Sequence, residues 1–168
     1  MRREVARTTR GMTRGRLIAV LVAVLALGAV AGTALRPARD TQVDGFARGY
    51  AAALADHEDA ALPGRVEYAA RRGPDALADL YRDVRRSIDA SRGALEQLRA
   101  PAGYGADLAR LTALLEEQSA ALERLVAATT SQDRDGLAEA TRELARTAAH
   151  ASALRSRIQL RLAGAKTS

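Results

Sequence analysis

Two patterns of apolar and polar positions divide the chain. From Leu17 to Leu35 the sequence runs LIAVLVAVLALGAVAGTAL without a charge, bracketed by Arg16 and Arg36. At about 1.5 Å per residue this run is roughly 28 Å long as a helix, enough to cross a hydrocarbon core of about 30 Å with the flanking arginines snorkelling. Beyond residue 40 the apolar positions return at steps of three and four, the period of a helix with one buried face.

Asp40 or Thr41 can cap the first of these helices, near 41–58, whose face carries Val43, Phe46, Tyr50, Leu54 and His57. Pro63-Gly64 predicts a turn, and over 61–73 Val66 and Tyr68 are expected to pin a loop to the rest. Gly73-Pro74-Asp75 opens a long helix near 74–99, with proline in the first turn and acids where the helix dipole favours them. Its face is Leu77, Tyr81, Val84, Ile88, Ser91, Leu95 and Leu98, and Pro101 ends it. Leu108, Leu111, Leu115, Leu122 and Leu125 mark a helix near 105–130. Asp133 or Asp135 can cap another near 133–163, with Leu137, Thr141, Leu144, Ala148, Ala151, Leu154, Ile158 and Leu162 inward.

Short links between long helices favour antiparallel neighbours. The expected fold class is therefore all-α: one N-terminal transmembrane helix at 17–35, then an antiparallel helical bundle of four helices within 40–165. An elongated coiled coil is the alternative. Acid-then-base pairs three apart mark the wet faces: Asp79–Arg82, Asp83–Arg86, Asp89–Arg92, Glu96–Arg99, Asp107–Arg110, Glu139–Arg142 and Glu143–Arg146.

Charge changes the picture once it is divided. The net +6 belongs to the leader, because residues 1–39 hold eight arginines and one acid while 40–168 hold 18 basic and 19 acidic side chains. A nearly neutral domain lacks the basic excess that phosphate backbones require, so no nucleic-acid partner is expected. The absence of cysteine removes disulfides, thiolate metal sites, thiol catalysis and lipid attachment at a lipobox.

The arginines of residues 1–16 predict a cytoplasmic tail, a signal-anchor at 17–35 in the cell membrane, and a bundle on the far side. A cleaved signal peptide is the competing reading, with A-x-A-like sites at Ala29/Ala31 or Gly32/Ala34. Gly28 and Gly32 form a G-x-x-x-G, a spacing that lets two membrane helices approach and dimerise.

Candidate chemistry is sparse. His57 stands in Asp56-His57-Glu58-Asp59, but neighbours on a helix diverge, so a metal site there needs irregular backbone. Di-iron bundles use Glu-x-x-His, whereas Leu54 and Thr147 stand three residues before His57 and His150. No G-x-S-x-G, phosphate-cradling loop or H-E-x-x-H is present. Ser91, Ser119 and Ser131 have no histidine nearby in sequence, and Ser152 is offset from His150 by two residues. Met1 and Met12 precede the apolar run, which argues against a haem held by histidine and methionine. Tyr50, Tyr68, Tyr81 and Tyr104 either line a cleft or, as aromatic residues with polar tips more often do, close bundle ends with the hydroxyl in water. No catalytic residue, metal or cofactor is expected.

The Arg-rich start, the apolar run and the Ala/Leu/Arg helices joined at Leu98-Arg-Ala-Pro101 resemble small uncharacterised membrane-anchored or secreted helical proteins of GC-rich bacteria. The resemblance implies a bundle outside the membrane and carries no functional residue. The layout is also similar to the four-helix sensing domains of bacterial receptors, but those are bracketed by two membrane helices and one apolar run is seen here. The function expected is a non-catalytic protein-binding or scaffolding module of the cell envelope, meeting a protein partner or a second copy. A small-ligand sensor or carrier with a cleft between helices, or a secreted helical protein after leader cleavage, is the alternative.

Overall fold

The computed structural model describes residues 41–55 and 62–165. Five described helices follow one another: α1 (Thr41–Ala55), α2 (Leu62–Arg72), α3 (Pro74–Glu96), α4 (Gly105–Ser131) and α5 (Arg134–Ala165). The Arg-rich tail, the apolar run 17–35 and residues 56–61 lie outside the described residues. Among the described residues no helix is long and apolar enough to cross a membrane.

The helix α2 is where the structure departs from the pattern. The Pro-Gly pair predicts a turn and loop over 61–73, yet 62–72 are helical. The reason is the place of Pro63, second in the helix, where its missing N–H has no acceptor to lose. Val66 is buried as anticipated, while Tyr68 points to solvent at 63% exposure. Gly73 then reverses the chain at φ 117°, a conformation open to glycine without strain. Its N–H closes on the Ala69 carbonyl at 3.2 Å, and its own carbonyl accepts from Leu77 at 3.2 Å, so α2 and α3 meet without a linker.

α4 is the middle of the array, packed lengthwise against α3 on one side and α5 on the other. Two covered sides require a wide buried face, and α4 buries Leu108, Leu111, Leu114, Leu115, Leu122 and Leu125 together with Gln118, Ser119 and Ala121. Ion pairs between helices set the directions. Arg85 reaches Glu123 at 3.4 Å and, seven residues on, Arg92 reaches Glu116 at 3.8 Å, so α3 and α4 run antiparallel. Arg124–Glu143 near one end and Asp107–Arg157 near the other do the same for α4 and α5.

α1 and α2 both lie on α3. Phe46, Tyr50 and Leu54 of α1 are buried, as their spacing predicts. Just past its middle α1 comes so close that a Cβ at Gly49 would stand 2.6 Å from Leu98 Cδ2, an approach that only glycine allows without displacing that leucine.

The ends of the long helices follow local chemistry. Gln132 closes α4 in the left-handed region at φ 56°, and the Asp133 N–H bonds back to Ala128 at 2.9 Å. Asp133 then caps α5: its Oδ1 accepts from the N–H groups of Asp135 and Gly136, each at 3.1 Å. Two orphan donors at one helix start are satisfied by a single carboxylate. Asp133→Ala is therefore expected to cost about 1 kcal/mol, measured as a lower urea midpoint of the full-length chain in mild detergent.

Candidate functional site

Among the described residues, those singled out from the sequence do not assemble into one constellation. Gly28, Gly32 and His57, with Asp56, Glu58 and Asp59 beside it, lie outside the described residues. His150 is exposed on α5, Ser91 and Ser119 are buried in the core, and the Ser131 hydroxyl donates to the Ala127 carbonyl at 2.9 Å. Among the described residues no three His, Asp or Glu side chains gather as metal ligands would.

Two clusters that the sequence did not flag stand out instead. The first closes one end of the array around Tyr104. Its ring lies 5.4 Å from that of Phe46, which in turn lies 6.0 Å from Tyr50. The Arg161 guanidinium stands 4.6 Å above the Tyr104 ring, close enough for a cation–π contact. Arg161 also donates Nη1 to Asp107 Oδ2 at 2.8 Å and Nη2 to the Gly103 carbonyl at 2.9 Å. Arg157 donates to Asp107 Oδ1. One carboxylate, 13% exposed, is thus held by two arginines four residues apart on the same face of α5.

This arrangement ties the last turns of α5 to the start of α4 and, through Phe46, to α1. Both Asp107 oxygens are taken by guanidinium donors, so neither is placed to receive a proton from a substrate. The chemistry available is electrostatic: two planar cations share one acid, and their outer N–H groups face solvent. Tyr50 and Tyr104 do close a bundle end as expected, but as buried rings, with the water-facing role taken by arginine.

The second cluster is internal. The register of the ion pairs brings Ser91 of α3, Gln118 of α4 and Thr147 of α5 to one level, all three buried. Thr147 satisfies itself through the carbonyls of Glu143 and Leu144 at 3.0 and 3.1 Å. Gln118 is 2% exposed and its Nε2 has no hydrogen-bond partner. A buried amide left unpaired destabilises, so Gln118→Leu is expected to raise stability by about 1–2 kcal/mol, seen as a higher urea midpoint with unchanged slope.

Burial pushes the Tyr81 hydroxyl up from 10.0 to about 12, because the phenolate would lose its hydration on the inner face of α3.

The exterior is a mesh of arginines and carboxylates. Asp79–Arg82, Asp83–Arg86 and Glu143–Arg146 pair as their spacing predicts. Elsewhere the partner is on another turn or another helix: Arg92 takes Glu96 and Glu116, and Arg110 takes Glu117. Against this, the exposed large apolar side chains among the described residues are Tyr68 and Leu160, on different helices. The fold and its clusters define an all-α domain of packed helices. No protein-family model matches the chain, nor does any curated protein or any solved structure.

Proposed function

We propose that the chain is a membrane-anchored, extracytoplasmic helical bundle that acts as a non-catalytic protein-binding or scaffolding module of the cell envelope. Residues 17–35 form the membrane-spanning anchor, with the Arg-rich tail in the cytoplasm. The bundle beyond it is a four-place antiparallel array in which α1 and α2 together fill the first place. The observation that carries the reading is the contrast between a continuous leucine core and an exterior made of arginine–carboxylate pairs, with the polar clusters serving to hold helices together. Among the described residues the exposed large apolar side chains, Tyr68 and Leu160, stand on different helices, so on that surface a partner is met by charged side chains and arginine forks. The buried, unpartnered Gln118 amide favours a second reading, a carrier whose small polar ligand enters between α3, α4 and α5.

The test is fractionation of cells with protease added to intact spheroplasts, followed by crosslinking. A full-length chain in the membrane pellet, digested from outside and crosslinked to a discrete envelope protein or to itself, supports the proposal. A soluble chain beginning near Gly32 or Leu35 would replace the anchored module with a secreted one. A digestible, membrane-bound chain with no discrete crosslink would turn attention to a ligand.

A further inference from the structure

The Tyr104 cluster fixes which end of the bundle faces the leader. Phe46, beside Tyr104, is five residues from Thr41, so the start of α1 lies about 8 Å of helix rise from the ring that also carries Arg161. The α3–α4 connection and the last turns of α5 converge at this same end, as the contacts of Gly49 with Leu98 and of Arg161 with Gly103 show. The opposite end holds the α2–α3 reversal at Gly73 and the α4–α5 connection at Gln132.

The two ends differ in charge. Residues 41–50, 96–110 and 155–165 carry six arginines (Arg48, Arg99, Arg110, Arg155, Arg157 and Arg161) against three acids, Asp44, Glu96 and Asp107. Residues 65–82 and 124–143, toward the other end, carry seven of each sign. Within the positive end Arg157 and Arg161 share Asp107, and Glu96 is taken by Arg92, which leaves Arg99 without an acidic partner among the described residues. Between Leu35 and Thr41 stand five residues, two of them arginines. At no more than about 3.6 Å each they span roughly 18 Å, so the positive end is held close to the membrane if the apolar run stays in it.

We infer that this end, through Arg48, Arg99, Arg157 and Arg161, docks on the anionic phosphodiester headgroups of the membrane that holds the chain's own apolar run. The inference rests on the retained anchor proposed above. Guanidinium groups match phosphate oxygens with paired N–H donors, and attraction to a charged lipid surface acts only within about a Debye length, here about 8 Å. The short tether brings the arginines within reach of that surface. The bundle then stands end-on, with the Gly73 and Gln132 connections furthest from the lipid.

The chain has no cysteine, so single substitutions give unique labelling sites. Full-length Ala102→Cys, at the positive end, and Ser131→Cys, at the other, would each carry a fluorescent donor in vesicles with acceptor-labelled headgroups. The vesicles would be phosphatidylcholine alone or with roughly a third phosphatidylglycerol. Expected is strong energy transfer at Ala102→Cys in anionic vesicles, falling about twofold or more in phosphatidylcholine or at about 0.5 M salt, with Ser131→Cys low throughout. Adding Arg48→Gln and Arg99→Gln, neither of which touches the Asp107 clamp, should lower the anionic-vesicle signal in the same way. Tethering alone would give transfer at Ala102→Cys indifferent to lipid charge and salt, and that result overturns the docking inference while leaving the anchor intact. A chain that fails to float with vesicles overturns both.

Discussion

Leu115→Ala is expected to cost the bundle about 3–4 kcal/mol. Leu115 is 0% exposed and sits on α4, the helix that packs against both α3 and α5. Truncating its isobutyl side chain to a methyl leaves a gap in the fully buried core of the helix that two neighbours share. The cost is therefore the transfer free energy of the lost carbons plus that of the cavity. Urea denaturation of the full-length chain in mild detergent measures it, with Leu160→Ala as the control. Leu160, at 74% exposure, should shift the midpoint by no more than a few tenths of a kcal/mol. Equal effects at the two positions would mean that α4 is not the centre of the core.

Alkaline titration should destabilise the fold through one tyrosine in particular. The Tyr81 hydroxyl is held at about 12 in the folded chain against 10.0 when exposed, so above pH 10 the unfolded chain gives up a proton that the folded chain keeps. Fewer protons bound in the unfolded state make stability fall as pH rises. The contribution is complete below pH 10 and is lost on passing pH 12. Its size is on the order of 2–3 kcal/mol, since a tenfold change in proton affinity corresponds to about 1.4 kcal/mol. Tyr81→Phe abolishes the phenolate, so its stability should be flatter across this window than that of the parent. A parent and variant that decline in parallel would place the Tyr81 ring in solvent.

Much of the fold is legible in the sequence wherever one face is apolar at helical spacing. Ile88, Leu95, Leu111, Leu122, Leu144 and Ile158 fall inside as their positions require. The α2 helix is illegible for a definite reason, since Pro63-Gly64 reads as a break unless the helix is known to begin at Leu62. Polar positions on the buried faces are equally hidden. Gln118 and Arg155 lie on the inner sides of α4 and α5 at 2% and 9% exposure, and polarity alone places both outside. Ion pairing is legible only within a helix. Asp107 has Arg110 three residues on, yet its oxygens go to Arg157 and Arg161, because the antiparallel register brings them to the partly sheltered side. How the Tyr104 end is assembled is not legible in advance, since its members lie as far apart along the chain as Phe46 and Arg161. A tyrosine following Pro101-Ala-Gly103 is the one local hint of a packed corner.

The placing of α1 and α2 chiefly on α3 has a mechanical consequence. A pull applied to the chain ahead of Thr41 reaches α1 before any other described helix. α1 is held by one neighbour along its length and by a few aromatic contacts near its start, whereas α4 is gripped on both flanks. Tension or thermal agitation should therefore peel α1 away while α3, α4 and α5 stay folded, an opening that amide exchange would register as faster exchange in α1 than in α4. The first short helix would act as a shock absorber, yielding before strain from the N-terminal side reaches the leucine core.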